Sequence, residues 1–169
     1  MGYTTDFHGE FVLDKKLDNK TKNLINGLSN TRRVGRDTFR LSRNLNISYT
    51  ECLEKYGKEG EFYYDEIDFK YNGQTHTNDM IDYNTPPYYQ PSLWCQWKYD
   101  EENNSIVWDQ NEKFYEYVPW IKYLIKRVFE PNNYKLNGEV EWFGQEDDDR
   151  GIITIENNNI KIKECSCFE

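Results

Sequence analysis

The sequence is short of histidine, cysteine and long apolar runs, and each shortage removes a class of function. Only His8 and His76 occur in 169 residues, and neither stands beside a cysteine at zinc-ligand spacing, so no structural metal is expected. The four cysteines form no CxxC pair: Cys52 and Cys95 fall in patterned segments, while Cys165 and Cys167 lie in the last few residues. Reduced thiols in an intracellular protein are the economical expectation. No apolar run approaches the roughly 20 residues needed to cross a bilayer. The N-terminus has no signal-peptide core, and Asp6 occupies the position where myristoylation needs Ser or Thr. A cytoplasmic location and no membrane partner are therefore expected. P-loop, GxGxxG and GxSxG motifs are all missing, so no cofactor is expected and no catalytic residue is assigned.

What is abundant is aromatic. Apolar residues make up 37% of the chain, a fraction that would suggest disorder if aromatics did not reach 17%. Disordered chains are poor in aromatics because they cannot offset ordering entropy by burial. Fourteen Tyr, nine Phe and five Trp point instead to a folded core. The length fits a single α+β domain over 1–163, with a flexible Cys-containing tail over 164–169.

The net charge of −9 divides unevenly: residues 1–60 carry eleven Lys/Arg against eight Asp/Glu (+3), and 61–169 carry ten against twenty-two (−12). Generic nucleic-acid binding is not expected, because counterion release needs net basic contacts. An acidic surface that mimics nucleic acid toward a basic partner stands as one alternative function.

The hydrophobic pattern gives the elements. Phe7 to Leu13 reads as a strand, and Asp18 caps a helix from Asn19 to Ser29. Thr31 to Arg43 reads as an arginine-rich connector. Ser48-Tyr49-Thr50-Glu51 is a capping box for a short helix stopped by Gly57. Glu61 to Tyr71 reads as an acidic edge strand, and Asn72 to Pro91 as a long loop. Ser92–Tyr99 and Ser105–Trp108 form a hairpin. Asp109 leads a capping box for the main helix, Gln110 to Phe129, in which Pro119 predicts a kink near Tyr115–Tyr117 or two abutting helices. Tyr134–Gly144 is a strand, and Gly151–Glu156 with Ile160–Lys163 make a last hairpin around Asn157-Asn158-Asn159. The sum is a mainly antiparallel sheet with one long and one or two short helices packed on one face.

Two clusters carry candidate function. Arg32, Arg33, Arg36, Arg40 and Arg43 are five of the seven arginines. Their planar forks suit phosphates and carboxylates, or the chain's own surplus of acid. The aromatic stretch that begins at Ile81 places Asp82, Tyr83, Asn84, Tyr88, Tyr89 and Trp94 on or beside a proline-stiffened loop, whereas Leu93, Cys95 and Trp97 read as core. Glu139 and Glu141 share the outward face of one strand. The acidic turn Glu146 to Asp149 fails the calcium-loop pattern, because Arg150 stands where a ligand is needed.

Several of these blocks also resemble an uncharacterised family of small proteins encoded by bacteria, their phages and large DNA viruses. The residues concerned are Met1 to Thr5, Thr31-Arg32-Arg33, Arg36-Asp37, Ile81 to Pro87, Gln90-Pro91 and Leu93 to Trp97. Trp108 with Glu112 to Tyr115, and Leu136 to Trp142 followed by Gly144, complete the set. The resemblance is weakest over Arg43–Thr77, and this chain departs from it at Pro119, in its Asn-rich turns and in its Cys-containing tail. The family has no assigned activity, so the resemblance implies a phage- or virus-related accessory protein, in the host cytoplasm if virus-encoded, and no mechanism.

The leading expectation is a non-enzymatic binding protein that presents the aromatic loop and the arginines as one surface to a protein partner. The alternative is a site for a nucleotide or another phosphate-bearing small molecule, possible for an enzyme, with Asp82 or Glu139 as acid/base group.

Overall fold

The computed structural model describes residues 2–66 and 76–165. In chain order the elements are β1 (Thr5–Leu13), α1 (Asn19–Asn30), α2 (Thr38–Asn44), α3 (Tyr49–Tyr56), β2 (Trp97–Asp100), β3 (Ser105–Trp108), α4 (Tyr117–Leu124), β4 (Leu136–Gly144), β5 (Arg150–Glu156) and β6 (Asn159–Glu164). The six strands form one antiparallel sheet in the order β2-β3-β1-β4-β5-β6, not closed into a barrel. With four helices among the described residues, the class is α+β. None of these helices is long and apolar enough to cross a membrane. The chain divides into two compact units, Met1–Lys22 with Gln96–Glu169, and Asn23–Cys95.

The sheet unit follows from alternation. Phe7, Phe11 and Leu13 are buried along β1, and Asp6, His8 and Val12 face solvent. Leu136, Val140 and Trp142 repeat the pattern on β4. Aromatic rings fill the inner face: Phe7 lies 5.5 Å from Trp97, 5.3 Å from Trp108 and 4.9 Å from Tyr117, each edge-on. The Trp97 indole N–H donates to the Tyr117 carbonyl at 2.8 Å, which ties the start of α4 to this core. Where β1 and β4 run side by side, Gly9 and Gly138 have φ of +115° and +143°. A Cβ at Gly9 would lie 2.3 Å from the Glu139 carbonyl oxygen, so only glycine permits this approach.

Several caps form as expected. Asp18 accepts from the Thr21 N–H at 2.7 Å, and Ser48 accepts from Glu51 N–H at 3.1 Å. Gly57, at φ +75°, stops α3. Asn157 and Asn158, both with positive φ, make the two-residue turn between β5 and β6.

Other expectations are corrected. The main helix starts at Tyr117, not Gln110: the Asp109 carboxylate accepts from Asn111 N–H at 2.9 Å in a local turn, and Gln110 (φ 69°) and Lys113 (φ 64°) are left-handed. Pro119 consequently falls in the first helical turn, where its missing N–H has no intrahelical partner, and no kink is required. The helix continues through a wider π turn over Ile125–Phe129 and a tight turn over Glu130–Asn132, to 16 residues in all.

The strand expected from Ser92 begins only at Trp97, because the Leu93 carbonyl is taken by the Arg33 N–H at 2.7 Å instead of a ladder partner. Leu93 is accordingly half-buried, not core. The expected strand over Glu61–Tyr71 is missing from residues 61–66: Phe62 N–H bonds back to the Tyr56 carbonyl and Tyr63 N–H to that of Gly60, coiling the chain against the end of α3. Residues 67–71 of that expectation lie outside the described residues, as do 72–75 of the long loop and 166–169 of the tail. Within the arginine connector the structure forms α2, which was not expected; Asp37 caps it by accepting from Arg40 N–H at 3.0 Å.

Candidate recognition surface

The surface begins with the backbone of residues 33–37, which holds the rest of its unit in place. Arg33 N–H bonds to Leu93, Gly35 N–H to Thr85 at 2.9 Å, Arg36 N–H to Glu59 at 2.8 Å and Asp37 N–H to Asp79 at 2.7 Å. Ile81 N–H returns to the Gly35 carbonyl at 3.0 Å, and Arg36 pairs with Met80 as an isolated antiparallel bridge. A five-residue stretch thus fixes the loop that carries Asp82, Tyr83, Asn84, Tyr88 and Tyr89.

The side chains of that stretch divide by role. Arg33 is buried, with 3% of its surface exposed. Its fork donates to Gln90 Oε1, to Thr31 Oγ1 and to the carbonyls of Glu61 and Tyr63, at 2.9–3.1 Å. Arg36 is also buried and pairs with Asp79 at 2.7 Å, while donating to Thr77 Oγ1 at 3.1 Å. Its guanidinium lies 4.8 Å from the centroid of the Tyr63 ring, and burial pushes the Tyr63 hydroxyl up to about 12, with Asp65 adding to the rise. Both arginines therefore hold the interior of the unit together.

Arg32 points the other way. Its Nε donates to the Tyr83 carbonyl at 3.0 Å and its Nη2 to Asn84 Oδ1 at 2.9 Å, so one edge of the fork is clamped. The guanidinium carbon lies 4.1 Å from the Tyr83 ring centroid and 6.0 Å from that of Trp94. Arg32, Tyr83 and Trp94 are all half-buried, and Asn84 is exposed. Asp82 shapes the loop beneath: it accepts from Asn84 N–H at 3.0 Å and from Thr85 Oγ1 at 2.8 Å, and these two bonds lower its pKa below the usual carboxylate value. The structure thus brings Arg32, Asp82, Tyr83, Asn84 and Trp94 together.

Tyr88 and Tyr89 are exposed and stand edge-on at 4.9 Å, with Lys58 Nζ 4.4 Å from the Tyr88 ring and Glu59 Oε1 accepting from Tyr88 N–H. Ile81, at 60% exposure, lies on the same loop, and the exposed His76 ring lies 5.7 Å from that of Tyr83. Neither His76 nor Ile81 is a site candidate from sequence: a lone histidine gives no signal, and Ile81 marks only the start of the aromatic stretch. Glu139 and Glu141 sit in the sheet unit, exposed on β4 opposite Glu10 and His8 of β1. In that unit a cavity of about 600 Å³, lined by His8, Lys98, Asp100, Trp108 and Gln110 among others, includes neither glutamate. No group of three or more His, Cys, Asp or Glu side chains suited to a metal ion occurs among the described residues.

Comparison with protein-family models, with curated proteins and with solved structures finds no match.

Proposed function

We propose that this chain is a non-enzymatic binding protein of the cytoplasm, which recognises a protein partner through the Arg32–Tyr83–Trp94 stack and the exposed Tyr88 and Tyr89 of the same loop. The carrying observation is the pre-organised fork of Arg32. Its Nε and Nη2 are held by Tyr83 and Asn84, and its ring neighbours restrict its plane. The remaining edge, made by Nη1 and the second Nη2 hydrogen, can take a carboxylate of the partner in bidentate fashion. Little side-chain entropy is then lost on binding. Tyrosine, tryptophan and arginine are also the residue types that dominate interface hot spots. An accessory role fits the resemblance to proteins of phages and large DNA viruses.

The competing nucleotide site draws less support, since Arg33 and Arg36 bond within their own unit and leave Arg32 as the main contact from that trio. The test is capture of partners from lysate by the wild type and by Arg32→Ala and Trp94→Ala. Loss of a hot spot of about 2 kcal/mol weakens binding roughly 30-fold, so both variants should lose the specific partner. Undiminished capture of every partner by both variants refutes the proposal. A saturable thermal shift with a nucleotide, lost in Arg32→Ala, replaces it with the small-molecule site.

A further inference from the structure

Among the described residues the last strand of the sheet has an open edge. β6 pairs with β5 on one side and ends the sheet order, and all its side chains but that of Ile160 are exposed. The Cys165 N–H donates to the Arg150 carbonyl at 2.8 Å, and the register continues through Ile152–Lys163, Thr154–Lys161 and Glu156–Asn159. In an antiparallel ladder the bonded positions alternate, so Lys161 and Lys163 turn their N–H and C=O groups toward β5. Ile160, Ile162 and Glu164 turn theirs to the open edge. The ladder is regular along this strand, with no bulge in its register and no proline in its sequence. The usual guards of an edge are thus missing from the backbone.

The side chains then select what can be added. Ile160 and Ile162 lie beside Ile155 and Ile153, which are 2% and 0% exposed, yet Ile162 itself remains 43% exposed at the rim of the core. On the opposite face Lys161 and Lys163 are exposed. We infer that this edge accepts an extended acidic segment of a partner protein by strand addition, with apolar residues covering Ile160 and Ile162 and carboxylates opposite Lys161 and Lys163. A second copy of this chain is disfavoured. Antiparallel self-pairing that keeps the two faces in register sets Lys161 against Lys161 or Lys163, about 4.5–5.5 Å apart at Cβ, and like charges so placed repel.

The test uses the full chain and a fluorescein-labelled peptide, matched in length to β6, that alternates valine and glutamate. Fluorescence anisotropy should show saturable binding, about ten-fold weaker for the valine/lysine counterpart. Ile162→Pro removes an outward N–H without touching a bond to β5, a position where edge strands tolerate proline, and should abolish binding while the fold is kept. The double variant Lys161→Glu/Lys163→Glu keeps the backbone edge and should exchange the peptide preference, even if the proline variant fails to fold. The inference is overturned by the absence of saturable binding at millimolar glutamate peptide, by full binding to folded Ile162→Pro, or by an unchanged preference in the double variant. A sedimentation result showing a dimer that Ile162→Pro dissociates also overturns it, in favour of a second copy.

Discussion

Replacing Asp79 by alanine should be among the most damaging single changes in the Asn23–Cys95 unit. Asp79 and Arg36 have side chains 4% and 5% exposed and meet at 2.7 Å. Asp79 also accepts from Thr77 Oγ1, and its Oδ2 accepts from Asn44 Nδ2 at 3.2 Å. Alanine leaves the guanidinium buried with the Thr77 hydroxyl and the Tyr63 face but no counter-charge. Removing one member of a buried pair costs about 3–5 kcal/mol, a large part of the roughly 5–15 kcal/mol that stabilises a domain. Asp79→Asn keeps an acceptor at Oδ1 and should cost less, about 1.5–3 kcal/mol, the worth of a charge-assisted bond. The double variant Arg36→Met/Asp79→Leu removes both charges and should recover most of the loss. Urea unfolding followed by tryptophan fluorescence gives all three values from the midpoints at constant slope. A cost below about 1 kcal/mol for Asp79→Ala would refute the buried pair, since it describes a solvated one.

Gly9→Ala should cost at least 1–3 kcal/mol (an order-of-magnitude range) from its φ of +115° alone, before the close approach to Glu139 is counted; Gly35→Ala, whose Cβ meets nothing nearer than 3.5 Å, should be near neutral, and equal urea midpoints for the two would contradict the glycine assignment. Burial, helped by Asp149, raises the Tyr117 pKa to about 12, as burial does for Tyr63, against an ordinary 10.0. The unfolded chain therefore ionises first, so this stabilisation is complete below pH 10.0 and is lost as pH climbs toward about 12. Tyrosinate absorbance should show late-titrating groups, Tyr63 and Tyr117 among them, while the chain is folded, and a single uniform transition would count against this. Asp109 has its pKa raised by burial, so it stabilises the fold in acid and loses that contribution as pH rises through its folded value. Asp109→Asn keeps the acceptor for Asn111 and should raise the urea midpoint at neutral pH, with the gain vanishing in acid; a lowered midpoint at neutral pH would show that the carboxylate is solvated.

The elements legible in the sequence are those whose signals are local. Ser48 with Glu51, Asp18 before an apolar stripe, and paired asparagines between two alternating runs each act through neighbours a few residues away. The start of the main helix is not legible in the sequence because Asp109 can equally cap a helix or close a turn, and only the left-handed Gln110 and Lys113 decide between them. The arginines were legible as a cluster but not by role. Arg32 and Arg33 are adjacent in sequence, and their division into a half-buried fork and an interior strut rests on Gln90, Tyr63 and Tyr83, tens of residues away. Asp79 gives no signal in the sequence, since a single carboxylate in a loop is indistinguishable from a solvated one until its partner is placed.

The main-chain bonds from residues 33–37 bear on how this chain can change in length. A residue inserted between Arg33 and Asp37 would shift, in one step, the anchors to Glu59, Asp79, Ile81, Thr85 and Leu93. The same insertion in the Asn157-Asn158 turn disturbs one hairpin end. Drift in length should therefore be tolerated at the sheet's turns and suppressed across this short stretch, so that the spacing of the loop carrying Asp82 to Tyr89 is set by a segment whose own arginines, Arg33 and Arg36, are buried.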